Sequence, residues 1–183
     1  VLIFPYETKT YEELLNSRME KVEKKYLMGI TKSRSLNNLL LPFQIVYFRL
    51  IGFRIFHLHW AYGFTFPGEN KISLILSTLY YHFMLLFVKF CGYKVVWTVH
   101  NLLPHKQLFL DDRKARIFLS KIADTKIVHS EVTVTEMRDT RMDTTGTVTI
   151  LHGNYIGSYE NKISQTESRK KLGIDDKDFV FLF

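Results

Sequence analysis

Short β-branched and aromatic runs recur along this chain, each followed by a segment of helical periodicity. Four of them end in histidine: FHLHW (56–60), WTVHN (97–101), KIVHS (126–130) and TILHG (149–153). Strand–helix alternation with crossovers this long admits few folds, chiefly a parallel sheet with right-handed connections and helices on its faces. The expected fold class is therefore α/β, a doubly wound, mostly parallel Rossmann-like sheet. In such an open sheet, ligands bind in the crevice outside the carboxyl ends of the strands. His59, His100, His129 and His152 fall at that edge.

The elements follow from pattern. VLIFPY (1–6) reads as a buried strand broken by Pro5, then residues 10–25 as a helix and YLMGI (26–30) as a strand. Pro42 is expected to open a fresh helix, because proline is tolerated in a first turn. Gly52 is placed to end that helix. The strand RIFHLHW (54–60) precedes the long apolar stretch 71–90. That stretch is about long enough to span a bilayer. Yet Lys71, Thr78, His82 and Lys89 fall on nearly one line of it, as on a core helix with one polar edge in water; an interfacial or spanning helix is the other reading. Strand YKVVWTVHN (93–101) leads to a helix from Asp111 to Ala123, capped by Asp111 or Asp112, with Ala115, Phe118, Leu119 and Ile122 as its apolar stripe. KIVHS follows, with Ser130 as the cap of a short helix, then strand TVTILHG (147–153). A basic helix near 165–172 closes at Gly173, and the apolar FVFLF (179–183) reads as another strand.

Apolar residues make up 46% of the 183, enough for a packed core. The single cysteine, Cys91, excludes an internal disulfide and a Cys-based zinc site. The net charge of +7 is uneven: residues 24–110 hold ten Lys/Arg against one acid, Glu69, whereas residues 111–183 hold twelve of each. A basic half favours phosphates or an anionic membrane; it is also compatible with a merely solvated face. Nucleic acid is a weaker partner, because the aromatics sit in apolar runs rather than among Lys and Arg.

The first turn, PYETKTYEELL, lacks the glycines a dinucleotide needs, and no phosphate-binding loop of the GxxxxGK[ST] type, HExxH or GxSxG occurs. In the commonest doubly wound order the first and fourth strands flank the crevice, which sets Pro5 and Tyr6 opposite His100 and Asn101. His129 and His152 would then lie progressively outward, and His59 on the other wing. An imidazole by the crevice can bond sugar hydroxyls or act as a general base. Adjacent strand-end imidazoles could in principle share a cation, but only Glu131 stands near as a carboxylate, so no metal site is expected.

The string VVWTVHNLLPH (95–105) resembles the amino-terminal domain of GT-B glycosyltransferases of the family 4-like group. HLHW (57–60), ADTKIVHS (123–130), ILHGNY (150–155) and RKKLGI (169–174) agree in order. The resemblance implies one half of a GT-B fold: an acceptor-side domain over residues 1–160, then, over 161–183, a linker helix and the first strand of a carboxy-terminal donor domain. It also implies transfer of a sugar from a nucleotide-sugar donor, held by that further domain, to a glycan or lipid-linked acceptor. The family's cleft histidine corresponds to His100, the catalytic candidate. Tyr6, Thr10, Tyr11, Asn101, His105, His129, Ser130, His152, Gly153, Asn154 and Tyr155 are candidates for acceptor or cleft binding. Many relatives carry a glycine pair after the first strand; this chain does not, and Thr8, Thr10 and Tyr11 offer side-chain contacts instead. No cofactor is expected within these residues. Relatives that use lipid-phosphate acceptors work at the membrane, so Lys21, Lys24, Lys25, Lys32 and Arg34, near Leu39–Leu41, become a candidate patch for the inner face of the cell membrane. A non-catalytic, membrane-associated subunit that recruits a separate donor-binding partner is the alternative.

Overall fold

The computed structural model describes residues 1–5, 21–27, 30–68, 70–153, 162–175 and 177–181. Two compact units emerge, Val1–His152 and Gly153–Phe183. The first is α/β, with one six-stranded sheet whose described pairings are all parallel. Its strands are β1 (Leu2–Phe4), β2 (Lys25–Tyr26), β3 (Ile55–Leu58), β4 (Lys94–Thr98), β5 (Thr125–Val128) and β6 (Thr147–Thr149). Helices α1 (Arg34–Leu50), α2 (Lys71–Phe90), α3 (Asp112–Ile122) and α4 (Glu131–Asp139) connect them, with a 3-10 turn at Ala61–Phe64. The described part of the second unit carries α5 (Gln165–Leu172), with a Ser164/Glu167 capping box and a left-handed Gly173 at its end.

The strand order is β2-β1-β3-β4-β5-β6, which corrects the expected one. β3 lies between β1 and β4, so His59 belongs to the centre of the sheet and not to a wing. The reason is burial. Phe56, His57 and Leu58 are all buried, as a strand covered on both faces requires, whereas the short β2 and β6 carry exposed positions suited to edges. The order reverses between β1 and β3, the kind of point near which open α/β sheets bind ligands.

The core is built where the helices meet the sheet. Leu2, Phe56, Leu58, Val95 and Trp97 from the strands pack with Ile45, Tyr81, Leu85, Val88 and Leu119 from the helices, all essentially without exposure. The Tyr81 and Tyr93 hydroxyls donate to the carbonyls of Ala115 (3.1 Å) and Ile45 (2.8 Å), so the large rings bring no unpaired polar atom into that core. Asp111 caps α3 and Ser130 caps α4, as their sequence positions suggest.

Further expectations are corrected. Pro42 lies inside α1 rather than at a helix start. It cannot donate to Asn38 one turn back, and the Tyr80 hydroxyl supplies the missing donor to that carbonyl. In α2 the polar line is only partly in water: Lys71 is exposed, while Thr78, His82 and Lys89 are half-buried and meet neighbouring segments. Thr78 accepts from the Leu110 amide (2.9 Å), His82 lies against Phe118, and Lys89 pairs with Asp124 (2.6 Å). The outward face instead carries Ile72, Leu76, Leu79, Phe83, Leu86 and Phe90. Residues 179–181 form no strand, and Phe179 and Phe181 are exposed; the described residues of that unit include no strand with which they could pair. Of the strand expected at 26–30, Tyr26 belongs to β2, Leu27 and the exposed Ile30 are not in a strand, and 28–29 lie outside the described residues. Residues 10–20 of the helix expected at 10–25 lie outside the described residues, and 21–24 are not helical.

Candidate functional site

Parallel strands end on the same edge, so residues just past β3, β4, β5 and β6 share one rim. His59 follows Leu58 directly and His129 follows Val128, while His100 stands two residues beyond β4 and His152 three beyond β6. Thr98 registers with Ile127, which sets His100 and His129 level two residues later. The result is a continuous row of imidazoles. Ring centroids are 5.7 Å apart for His59–His100, 5.5 Å for His100–His129 and 5.1 Å for His129–His152. His57, two residues before His59 and so on the same face of β3, adds a fifth ring 4.2 Å from it.

The rings differ in environment. His57 and His59 are buried, and His100 is half-buried. Burial pushes the His57 pKa down to about 4 and that of His59 down to about 3, with neighbouring imidazoles adding to the effect. Both are neutral at pH 7. The His57 Nε2 bonds the Thr98 hydroxyl (2.8 Å), and the His59 Nδ1 lies 3.4 Å from the His100 Nε2. The neutral His59 thus orients the His100 ring. His129 donates from Nδ1 to the Ile150 carbonyl (2.9 Å).

On its other side His100 lies flat against Trp60, with centroids 4.3 Å apart and planes 12° from parallel. The pair borders a cavity of about 210 Å³, which Asn101 and His105 also line. Trp97, Tyr62 and Arg116 line it as well. Arg116 rises from α3 with 7% of its surface exposed, and its guanidinium lies 5.9 Å from the centre of the Trp97 ring. A flat aromatic wall beside polar groups suits a ring-shaped polar ligand.

The expected site residues thus separate. His100, Asn101 and His105 share the cavity, and His59, thought peripheral, joins them. His129 and the exposed His152 continue the row beyond it. The Ser130 hydroxyl accepts the Thr133 amide as the cap of α4. Gly153 is exposed and belongs to the second unit. Tyr6, Thr8, Thr10, Tyr11, Asn154 and Tyr155 lie outside the described residues. No cluster of metal-ligating side chains occurs among the described residues.

The five basic residues do not form one patch. Lys21 borders a hollow with Val1 and Ile55, and Lys25 registers with Leu2; both lie at the amino ends of the strands. Lys24 is next to Lys25 in the chain. Lys32 and Arg34 border another hollow with Phe4 and Pro5, at the carboxyl end of β1. Leu39 is exposed and Leu41 is buried in the core.

Sequence reasoning missed Trp60, Trp97, Tyr62 and Arg116. Trp60 carried a signal, since it adjoins His59 in HLHW. Arg116 carried little, because an arginine next to an apolar stripe ordinarily points to solvent. No protein-family model matches the chain, and no curated protein matches it.

Proposed function

We propose that this domain is the acceptor-binding half of a glycosyltransferase, which moves a sugar from a nucleotide-sugar donor to a glycan or lipid-linked acceptor. The observation that carries the reading is the pairing of His100 with Trp60 at the mouth of the cavity, within the string VVWTVHNLLPH that bears the family resemblance. An indole face offers a sugar ring an apolar floor, and an imidazole oriented by a neutral neighbour can bond or deprotonate an acceptor hydroxyl. The donor is held by a further domain, so these residues alone do not catalyse transfer.

The test is sugar transfer by the full-length gene product carrying His100→Ala. General acid–base roles contribute about 10²–10⁴-fold, and a loss in that range is expected. Normal transfer by a folded His100→Ala protein removes His100 from the mechanism. Turnover of a nucleotide sugar by the 183 residues alone contradicts the two-domain account.

The outward apolar rows of α1 and α2 support action at a membrane surface; the family resemblance implies the cytoplasmic face. Leu36, Leu39, Phe43, Tyr47 and Leu50 form the row on α1, beside that of α2. Exposed apolar areas of this kind mark membrane or partner contacts. α2 is also long and apolar enough to cross a bilayer by length and composition, although its inner face is packed in the core. The same rows favour a second reading, a non-catalytic membrane-associated subunit that recruits a donor-binding partner. A full-length product that binds membranes but transfers no sugar supports that second reading.

A further inference from the structure

Arg116 poses a problem that nothing else in the described residues resolves. Only 7% of its surface is exposed, yet its guanidinium makes no hydrogen bond or close ion pair among the described residues. Asp112, one turn earlier on α3, attracts the guanidinium electrostatically but does not bond it: its carboxylate accepts the amides of Leu108 (3.2 Å) and Phe109 (3.1 Å). A buried charge whose donors are not hydrogen-bonded is costly, and natural proteins retain one where it has a use. The Trp97 ring offers it only partial compensation.

The cavity that Arg116 lines explains the arrangement. Among the described residues no carboxylate borders it, while Lys106 and His105 add donors at its rim. The Tyr62 hydroxyl, also part of its lining, is buried without a hydrogen-bond partner. Two polar groups thus border one small space with nothing to bond. At about 210 Å³ the space is smaller than an ordinary ligand cleft of ~300–1,000 Å³, so it suits one ring or one anionic group rather than a whole nucleotide.

We propose that this cavity is an oxyanion subsite, in which Arg116, with Tyr62 and Lys106, binds a phosphate or carboxylate group of the ligand. The planar guanidinium fork matches either group with two parallel hydrogen bonds. The Trp60–His100 wall lies beside the ring that carries the anion. The ligand is therefore acidic: a sugar phosphate or a uronic acid rather than a neutral sugar. The inference deepens the acceptor-pocket reading and rests on it for calling the ligand a sugar. The anion subsite itself requires no transfer reaction.

Binding to the 183-residue protein is measured at low salt by calorimetry and thermal shift. The probes are inorganic phosphate, glucose 6-phosphate, glucuronate and glucose. At least one anionic probe is expected to bind and raise Tm, and glucose is not. Whether glucose 6-phosphate or glucuronate binds more tightly separates phosphate from carboxylate as the preferred group. Arg116→Met is expected to weaken binding at least tenfold while its ligand-free Tm stays equal or rises, because it removes a buried charge that has no hydrogen-bond partner. Lys106→Gln is expected to weaken binding by a smaller factor. The proposal is overturned if no anionic probe binds, if Arg116→Met binds as well as the parent, or if Arg116→Met fails to fold, which would make the guanidinium a support of the core. Anion binding together with inactive full-length protein defeats the glycosyltransferase reading alone; transfer without anion binding defeats this proposal alone.

Discussion

The Tyr80 hydroxyl on α2 donates to the carbonyl oxygen of Asn38 on α1, the acceptor that Pro42 leaves without an amide. A proline inside a helix removes one bond of the ladder. Here a side chain of the neighbouring helix restores it, and the repair also fastens α1 to α2.

That relationship is testable by a double-mutant cycle. Tyr80→Phe strands a carbonyl in a partly buried site and is expected to cost about 1–3 kcal/mol. Pro42→Ala returns an amide to the helix, so Tyr80→Phe in that background is expected to cost less. Urea unfolding of the four proteins measures the difference, and equal costs in both backgrounds would show that the two groups are not coupled.

Acid is expected to weaken the fold through His57 and His59. Their native pKa values lie at about 4 and about 3, against 6.5 for the ordinary imidazole. Above pH 6.5 neither the native nor the unfolded state takes up these protons, and stability is complete. Below it the unfolded chain protonates first, and stability falls by up to ~1.4 kcal/mol per pH unit for each ring until the native pKa is reached. Unfolding free energy at pH 5 is therefore expected to lie roughly 2–4 kcal/mol below that at pH 7.5. His57→Gln reduces the slope. A profile flat between those pH values contradicts the burial argument.

Gly63 marks the closest approach of the 3-10 turn to β1. A Cβ there would come within 2.6 Å of the Phe4 ring and 3.2 Å of Pro5 Cβ. Overpacking of this kind costs about 1–3 kcal/mol, and Gly63→Ala is expected to fall in that range. Gly153→Ala is the control: its methyl would meet nothing within 4 Å, and stability should change by less than ~0.5 kcal/mol. Thermal unfolding of both compares them.

Membrane association is expected to depend on the outward rows of α1 and α2. Phe43→Ser with Phe83→Ser removes two exposed rings, 71% and 53% accessible, and should sharply reduce cosedimentation with phosphatidylglycerol vesicles without lowering Tm. Lys32→Glu should reduce binding to anionic but not to neutral vesicles. Binding that ignores lipid charge would leave the basic residues without this role.

Much of the fold was legible in local pattern. The parallel α/β class follows from alternation, and the caps Asp111, Ser130 and Gly173 follow from side-chain chemistry within a turn of each helix end. Pro42 was misread because its repair comes from Tyr80, distant in the chain. The polar line of α2 was recognised and Lys71 does meet water, but the partners of Thr78, His82 and Lys89 were not legible, because periodicity identifies a face without saying what lies against it. His100, Asn101 and His105 were found from a strand end and its motif. Arg116 was not, since its burial depends on how α3 packs on Trp97.

The sequence by itself determined that strands alternate with helices and that four histidines stand near strand ends, because both are local consequences of side-chain pattern. Only the tertiary structure decided that β3 separates β1 from β4. Strand order depends on which edges pair and which strands are buried on both faces, and those are non-local quantities. That one adjacency brings His59 against His100 and joins the strand-end histidines into a continuous row. It also brings β3 beside the strand whose Trp97 meets Arg116, so that one cavity lies at their shared edge.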